Sequence, residues 1–549
     1  MNAPQRPIDN YIFEDIYKVN EEHHNDIAIS FKGVNYTFLE LEQSVNLFAK
    51  KLIDKGVKPD DHVALLSLNS YNWVVAFYAI IKIGAVAVLL NYMHRYENLV
   101  DEIKRTDCKF LVHGPFLAEV KKEDAFKNLI KETHIDMKKT ISINNRDLDF
   151  KEVLKDEKNT YCVIPNFYRR DKDSKRSSYI IFTTGTTSKP KAAMLSQYGM
   201  VNIIYHNFYK LDPVFPQKFM CLLPAFHCFG LLVINAYMAF HRTVYLNDLS
   251  NPIGLYKEFL KNKCGDYASV SFIYDKLART PFWWIHRGKF IKHCILGGGF
   301  TSEQEYDFLE KKYGKGKFLN GYGQTECSPL ISLVLPDAPK EKRNSTVGIV
   351  MEDIEIAIMD VKSKKIIPNN QKGEILVKGY NVFNGYYNMD ETSQPFDKDG
   401  YLHTGDIGYI DEDGYLVLKG RIKDIIIRRG ENISPKEIEE AMSMFKEFNR
   451  VRVLGFPSVE DGEYMLACVE LEKKPPHFVE QKYFDELHKI LPAIKIPSHI
   501  IYMKRFPLTA NGKLDEAKLR EICLKKLAIF VNKKLAGDTA KLIKKMGKK

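Results

Sequence analysis

Through the first 420 residues, short apolar runs of strand length alternate with helix-like stretches. The strand-like runs are Ala64 to Leu68, Tyr179 to Thr183, Phe219 to Leu223, Thr243 to Asn247, Ser269 to Phe272 and His293 to Leu296. Leu231 to Arg242 and Ser302 to Tyr313 read as helices. Such alternation predicts parallel or mixed sheets flanked by helices. From Ile354 to Lys419 the pattern shifts to short strands with turn punctuation. There Asp413-Gly414, between Tyr409-Ile410 and Tyr415-Leu418, is a hairpin signal. Beyond Arg421, helices are expected near Pro435 to Phe445 and Val479 to Leu491, and strands near Val451 to Phe456 and Leu466 to Leu471. The predicted class is α/β. A large N-terminal body of parallel and mixed sheets carries a β-rich subdomain and is followed by a small α+β C-terminal domain.

A chain of 549 residues is too long for one core, so two or three domains are expected. The longest apolar candidate, Val74 to Leu90, is broken by Lys82 and Gly84 and is not a membrane span. Met1 to Lys18 carries Asp9, Glu14 and Asp15 and lacks a secretory pattern, which makes the cytoplasm the default location. The nine cysteines form no CxxC pair and read as reduced thiols, not as a disulfide or zinc framework. The net charge of +11 changes meaning once it is located. Residues 525–549 hold nine lysines and one aspartate, so the rest of the chain is close to neutral. That excludes a nucleic-acid footprint on the body.

The segment from Tyr179 to Lys191, YIIFTTGTTSKPK, carries the most chemistry. A strand runs into a loop of hydroxyls and glycine closed by Lys189 and Lys191. Backbone N–H groups and hydroxyls of such a loop wrap phosphate oxygens, while a lysine supplies charge. The spacing lacks the GK[ST] of a P-loop, which disfavours a kinase or P-loop ATPase. Taken alone, a solvated Thr/Ser-rich turn has the same composition.

This run resembles the signature of the adenylate-forming superfamily, which comprises acyl-CoA synthetases, firefly-type luciferases and adenylation domains. It departs from the usual pattern at Ser188, Ala192 and Gln197, while Thr183, Thr184, Gly185, Thr186, Thr187, Lys189 and Lys191 remain as nucleotide-binding candidates. Further motifs follow in family order. Gly321-Tyr-Gly-Gln-Thr-Glu326 implies Tyr322 against adenine, Gly323 as a further nucleotide-binding candidate, Thr325 at the α-phosphate and Glu326 on Mg²⁺; an oxygen ligand suits magnesium. The glycines of Leu296-Gly-Gly-Gly-Phe300, with Gly298 and Gly299 as candidates, match partially a segment lining the adenine and acyl sites. Tyr401-Leu-His-Thr-Gly-Asp406 and Gly420-Arg421 imply Asp406 and Arg421 on the ribose hydroxyls, and Lys423 falls at the family's hinge. Pro507-Leu-Thr-Ala-Asn-Gly-Lys513 places the catalytic lysine at Lys513, which bridges the substrate carboxylate and the ATP α-phosphate in the family. Asp424 to Ile433 resembles the segment that lines the CoA tunnel after the hinge rotates, with Arg429 where a glycine is usual.

The resemblance implies an AMP-binding N-terminal domain over 1–422, a mobile C-terminal domain over 423–524 and a basic tail over 525–549. It also implies ATP, Mg²⁺ and coenzyme A as cofactor and co-substrates. Leu223-Pro-Ala-Phe-His-Cys-Phe-Gly-Leu-Leu232 lacks the aspartate of amino-acid-activating relatives, and His227 matches a position near the carboxylate and the CoA tunnel. An apolar wall cannot satisfy an ammonium group, so a fatty or aryl acid is the expected substrate. The 36 residues after Lys513 leave no room for a carrier domain, which argues against a peptide-synthetase module. The expected reaction is acyl-AMP formation with pyrophosphate release, then thioesterification to CoA. Two alternatives stay open: transfer of the acyl group to a carrier protein, and a decayed homologue that only binds nucleotide or acyl chains. In the tail, Leu524, Leu527, Ala528, Val531 and Leu535 form a partial stripe among lysines. That stripe suits weak contact with an anionic membrane surface and equally suits a docked helix with a solvated end.

Overall fold

The computed structural model describes residues 12–94, 96–114, 123–144, 148–160, 162–167, 174–183, 190–208, 217–247, 257–259, 261–279, 290–298, 301, 303–428, 431–458, 462–471, 480–509 and 514–526. The tail beyond Lys526 lies outside them.

Two large sheets build the body. The six-stranded one runs Thr140–Ser142, Phe110–His113, His62–Leu66, Val86–Leu89, Ser177–Thr183, Lys191–Ser196. Its first five strands are parallel and the last pair is antiparallel. Val86–Leu89 is buried along its whole length, as a parallel strand covered on both faces must be. The nine-stranded sheet runs Ile349–Val350, Ser332–Leu333, Phe318–Tyr322, His293–Leu296, Asp266–Ser269, Lys218–Cys221, Thr243–Leu246, Ile27–Phe31, Val34–Thr37. It is parallel in the middle and antiparallel toward both edges. The α/β expectation therefore holds, and so does the β-rich subdomain. Ile366–Ile367, Ile354–Met359, Gly373–Gly379, Leu402–Ile410 and Leu416–Arg421 form an antiparallel five-stranded sheet.

Local signals explain the elements. Thr37 and Glu40 close a reciprocal capping box at the start of the helix Phe38–Asp54. The apolar stretch from Val74 divides into the helix Tyr71–Lys82, capped by Ser70, a turn at Gly84 (φ +80°) and the strand Val86–Leu89. Every residue of that helix is buried, so its lack of a polar face reflects a place between layers, not a lipid phase. Among the described residues no helix is long and apolar enough to cross a membrane. One expectation needs correction. The strand predicted at Ser269 to Phe272 ends at Ser269, and a helix, Ser271–Ala278, starts two residues later. Pairing of Asp266–Ser269 with His293–Leu296 sets the strand's limits.

After residue 425 a separate set of contacts takes over. The hairpin Ile426–Arg428 with Glu431–Ile433, the helices Pro435–Met442 and Glu480–Leu487, and the sheet Arg450–Ser458, Gly462–Glu470, His499–Met503 share two hydrophobic clusters of their own.

Candidate active site

The site is built where the strands Phe318–Tyr322 and Ser177–Thr183 end. Carboxyl ends of parallel strands are where α/β sheets place ligands. Gly323 follows the first strand, and a Cβ there would stand 1.8 Å from the Pro329 carbonyl oxygen, so the turn admits glycine alone. The turn continues as a 3₁₀ segment, Thr325–Cys327, that presents Thr325 and Glu326. The Phe383 amide donates to the Glu326 carbonyl at 3.0 Å, and buried Asn381 donates to the Leu330 carbonyl at 2.9 Å. The turn is thus pinned from the β-rich subdomain.

Glu326 and the phosphate-loop residues converge on Tyr386. The Tyr386 hydroxyl donates to Glu326 Oε1 at 2.6 Å. Lys191 Nζ lies 4.7 Å from the centroid of the Tyr386 ring, and the Thr183 hydroxyl donates to the Lys191 carbonyl at 3.5 Å. Thr183 and Lys191 face each other in register across the antiparallel pair. Burial, reinforced by the Glu326 charge, drives the Tyr386 pKa far up, so the phenol stays a neutral donor. Thr184, Gly185, Thr186, Thr187 and Lys189 lie outside the described residues. The sequence reading missed Tyr386. Its only local signal is Gly385-Tyr386-Tyr387, with Gly385 at φ +98° and Ala193 bridged to Tyr386.

The other flank centres on Asp406, which is buried. Its Oδ2 accepts from the Tyr322 hydroxyl at 2.8 Å and its Oδ1 from Arg421 Nε at 2.7 Å. Asp406 and Arg421 are register partners, so the sheet itself holds the pair. Thr404 Oγ1 accepts from the Asp406 amide at 3.0 Å and donates to the Ile375 carbonyl at 2.7 Å. A carboxylate held by a phenol and a guanidinium can still accept from a vicinal diol. Lys423 sits two residues on, its pKa lowered by desolvation and by the Arg421 charge.

The third wall is apolar. Asn69 clamps the segment after Cys221: its Nδ2 donates to the Leu223 carbonyl and its Oδ1 accepts from the Ala225 amide, both at 2.8 Å. His227 precedes the helix Cys228–Ala239, and its ring lies 4.4 Å from that of Phe226. Cys228 Sγ and Thr325 Oγ1 are 3.2 Å apart, which ties this wall to the phosphate turn. Phe229 covers the glycine segment: a Cβ on Gly297 would meet its ring at 3.0 Å. Gly298 follows at φ +78°, and Gly299 lies outside the described residues.

Among the described residues no group of three or more His, Cys, Asp or Glu could hold a metal. The donor set fits a different arrangement, the single carboxylate of Glu326 beside Thr183 and Lys191. That suits magnesium, which keeps waters and phosphate oxygens for its remaining positions.

The profile of AMP-binding enzymes matches residues 16–387, and that of their C-terminal domain matches 437–513. The chain belongs to the AMP-binding enzyme family. This family comprises adenylate-forming acyl- and aryl-CoA ligases, and the chain is an AMP-forming acid–CoA ligase that uses ATP and CoA. Over 529 residues it is 28% identical to the acyl-CoA ligase sidI of Beauveria bassiana, covering 92% of this chain and 90% of that one. It is also 28% identical over 524 residues to the mitochondrial medium-chain acyl-CoA ligase ACSF2 of Danio rerio, covering 90% and 85%. ATP-bound MatB from Rhodopseudomonas palustris superposes with a TM-score of 0.82 at 24% identity, over 94% of this chain and 99% of that one. The AMP-binding fold thus accounts for both large sheets and the smaller unit.

Proposed function

We propose that this ligase activates a fatty or aryl acid. A carboxylate oxygen attacks the ATP α-phosphorus and expels pyrophosphate; the CoA sulfur then attacks the acyl carbon and AMP leaves. The observation that carries this reading is the convergence of Glu326 and Lys191 on Tyr386, with Thr183 in register across from Lys191, beside the Asp406–Arg421 pair. In this assignment Asp406 and Arg421 hold the ribose, Tyr322 and Gly323 face adenine, Thr325 meets the α-phosphate, and Thr183 and Lys191 meet the outer phosphates. Glu326 would hold Mg²⁺, which when bound offsets the charge of the phosphates. His227 would stand at the entry of carboxylate and thiol. Lys513, which lies outside the described residues, would bridge the two anions that must approach each other.

We assign 1–422 to the AMP-binding body, 423–524 to the C-terminal domain pivoting at Lys423, and 525–549 to a basic tail, with the protein in the cytoplasm. The wall formed by Phe226, Phe229 and Leu231 supports an uncharged acyl group, since an ammonium group there would go unsatisfied. The deciding measurement is pyrophosphate release with ATP and Mg²⁺ across acids from acetate through palmitate to benzoate, with and without CoA. Turnover that requires CoA and yields a thioester supports the reading. One equivalent released without CoA stimulation points to a carrier acceptor instead, and no release with any acid removes the proposal.

A further inference from the structure

The helix Tyr96–Arg105 ends against the strand pair that carries Thr183 and Lys191. Its last residue, Arg105, donates through Nη1 to the Pro190 carbonyl at 2.8 Å, across 85 residues of sequence. Nε of the same guanidinium donates to Asp101 Oδ2 at 2.7 Å, one helical turn back. The guanidinium also lies 5.8 Å from the centroid of the Phe182 ring. Phe182 pairs in register with Ala192, and Thr183 with Lys191, where the ladder stops. Arg105 therefore touches both strands at the end where Lys191 begins. Two residues on, Asp107 Oδ2 accepts from the Tyr387 hydroxyl at 2.9 Å, and the Tyr387 amide donates to the Ala192 carbonyl at 2.9 Å. The chain around Lys191 and the chain that follows Tyr386 are thus tied to one helix end.

We infer that Arg105 is a positioning residue for Lys191. By holding the Pro190 carbonyl, it fixes where the Lys191 stem starts, and so where the ammonium meets the outer phosphates of ATP. The inference rests on the proposed role of Lys191 at those phosphates and needs no movement of either domain. An Arg–Asp pair one turn apart on a helix surface contributes little by itself. Here the pair has a second use: Asp101 orders the guanidinium, and the ordered fork presents Nη1 to a carbonyl beyond the end of the ladder. A lysine ammonium is a point charge on a flexible four-carbon stem, and its reach is only as definite as its backbone. Tyr386 limits the stem's far end, with Nζ 4.7 Å from the ring centroid, while Arg105 limits its near end. Releasing Pro190 would let the entry to the strand Lys191–Ser196 shift. A displaced charge then loses attraction for a phosphate that the rest of the site still holds. AMP has no outer phosphates, so its affinity should not depend on Arg105.

The test compares Arg105→Lys, Arg105→Met and Lys191→Met in the full chain, by calorimetric titration with AMP and with α,β-methylene-ATP in the presence of Mg²⁺. R105M should weaken the ATP analogue about tenfold and AMP by less than about twofold. R105K should fall in between, since an ammonium can keep the bond to Pro190 but not the fork. In turnover, the KM for ATP should rise to a similar extent while the KM for the acid stays put. The double variant R105M/K191M should bind the analogue no more weakly than K191M alone, because Arg105 acts through that lysine. Equal weakening of AMP and analogue, unchanged binding of both, or additive losses in the double variant would each overturn the inference. Should R105M fail to fold, R105K and Asp101→Asn decide, the latter unpinning Nε without touching Pro190. K191M judges the underlying reading. If it binds the analogue as wild type does, Lys191 is not at the phosphates and both ideas fall; a loss in K191M with none in R105M sinks the Arg105 inference alone.

Discussion

The Tyr386 hydroxyl donates to Glu326 Oε1 at 2.6 Å across 60 residues of sequence. The carboxylate assigned to the metal is therefore aimed by a neutral donor whose ring also lies beneath Lys191. Tyr386→Phe removes that donor and leaves the ring beneath Lys191 in place. Acyl-AMP formation should drop about tenfold, and the Mg²⁺ concentration giving half-maximal rate should rise. Glu326→Gln, which removes the charge itself, should lower the rate by about 10²–10³. Pyrophosphate release titrated with Mg²⁺ checks both. An unchanged Mg²⁺ dependence in Y386F would separate Tyr386 from the metal.

Asp406 predicts a different signature. Asp406→Asn keeps the shape and one acceptor oxygen, enough for Tyr322 or Arg421 but not for both, and loses the charge that a ribose diol would meet. A hydrogen bond to a charged group contributes about 1.5–3 kcal/mol, so nucleotide affinity should weaken roughly 10- to 100-fold. Calorimetric titration with AMP reads this directly, and unaltered AMP binding would remove Asp406 from the ribose site.

Much of this was legible in the chain because it depends on local chemistry. Asp413-Gly414 turns the hairpin as expected, with Gly414 at φ +84°, and the glycine-rich and Thr-Glu turns sit at the strand ends. What could not be read are relationships that exist only after folding. Ile27–Phe31 lies beside Thr243–Leu246, more than two hundred residues away in the chain, and no local pattern encodes that order. Tyr386 carries no chemistry of its own until the bridge to Ala193 brings it onto Glu326. The Ser269 to Phe272 run failed for a related reason. Short apolar segments suit a strand or a buried helix equally, and only the partner strand decides where the ladder stops.

Gly323 offers a stability test that also reports on the site. A methyl group there would sit against the Pro329 carbonyl, 1.8 Å from its oxygen, and the backbone cannot yield as a side chain could. Gly323→Ala should destabilise the body by about 1–3 kcal/mol and displace Thr325 and Glu326. Thermal unfolding should show a lower midpoint, together with loss of acyl-AMP formation. A wild-type midpoint with full activity would mean that the turn has another conformation.

Lys513 and the two-step scheme predict a split result. Lys513→Ala should abolish acyl-AMP formation yet leave thioester formation from presynthesised acyl-AMP largely intact, because only the first step joins two anions. Equal loss in both half-reactions would contradict a lysine used in one orientation of the domain.

Lys436 predicts a pH dependence whose sign can be worked out. Its amine donates to the Leu418 carbonyl, linking the helix Pro435–Met442 to the end of the β-rich subdomain. Burial lowers its pKa from 10.5 to about 8, against the partly opposing Glu440 charge. Between those two values the unfolded chain holds the proton and the folded chain does not. The unfolded state therefore binds more protons, and stability rises with pH across that window. Below about pH 8 the amine is charged in both states and the buried charge opposes folding. Lys436→Met removes this term along with the hydrogen bond. Wild type should thus gain on K436M as pH rises from 7 to 9.5, by roughly 1–3 kcal/mol in denaturant unfolding. An NMR titration of ¹³C-methylated lysines should show one resonance with a midpoint near 8 that K436M lacks. A stability difference independent of pH would mean that Lys436 is hydrated in solution and that this seam opens there.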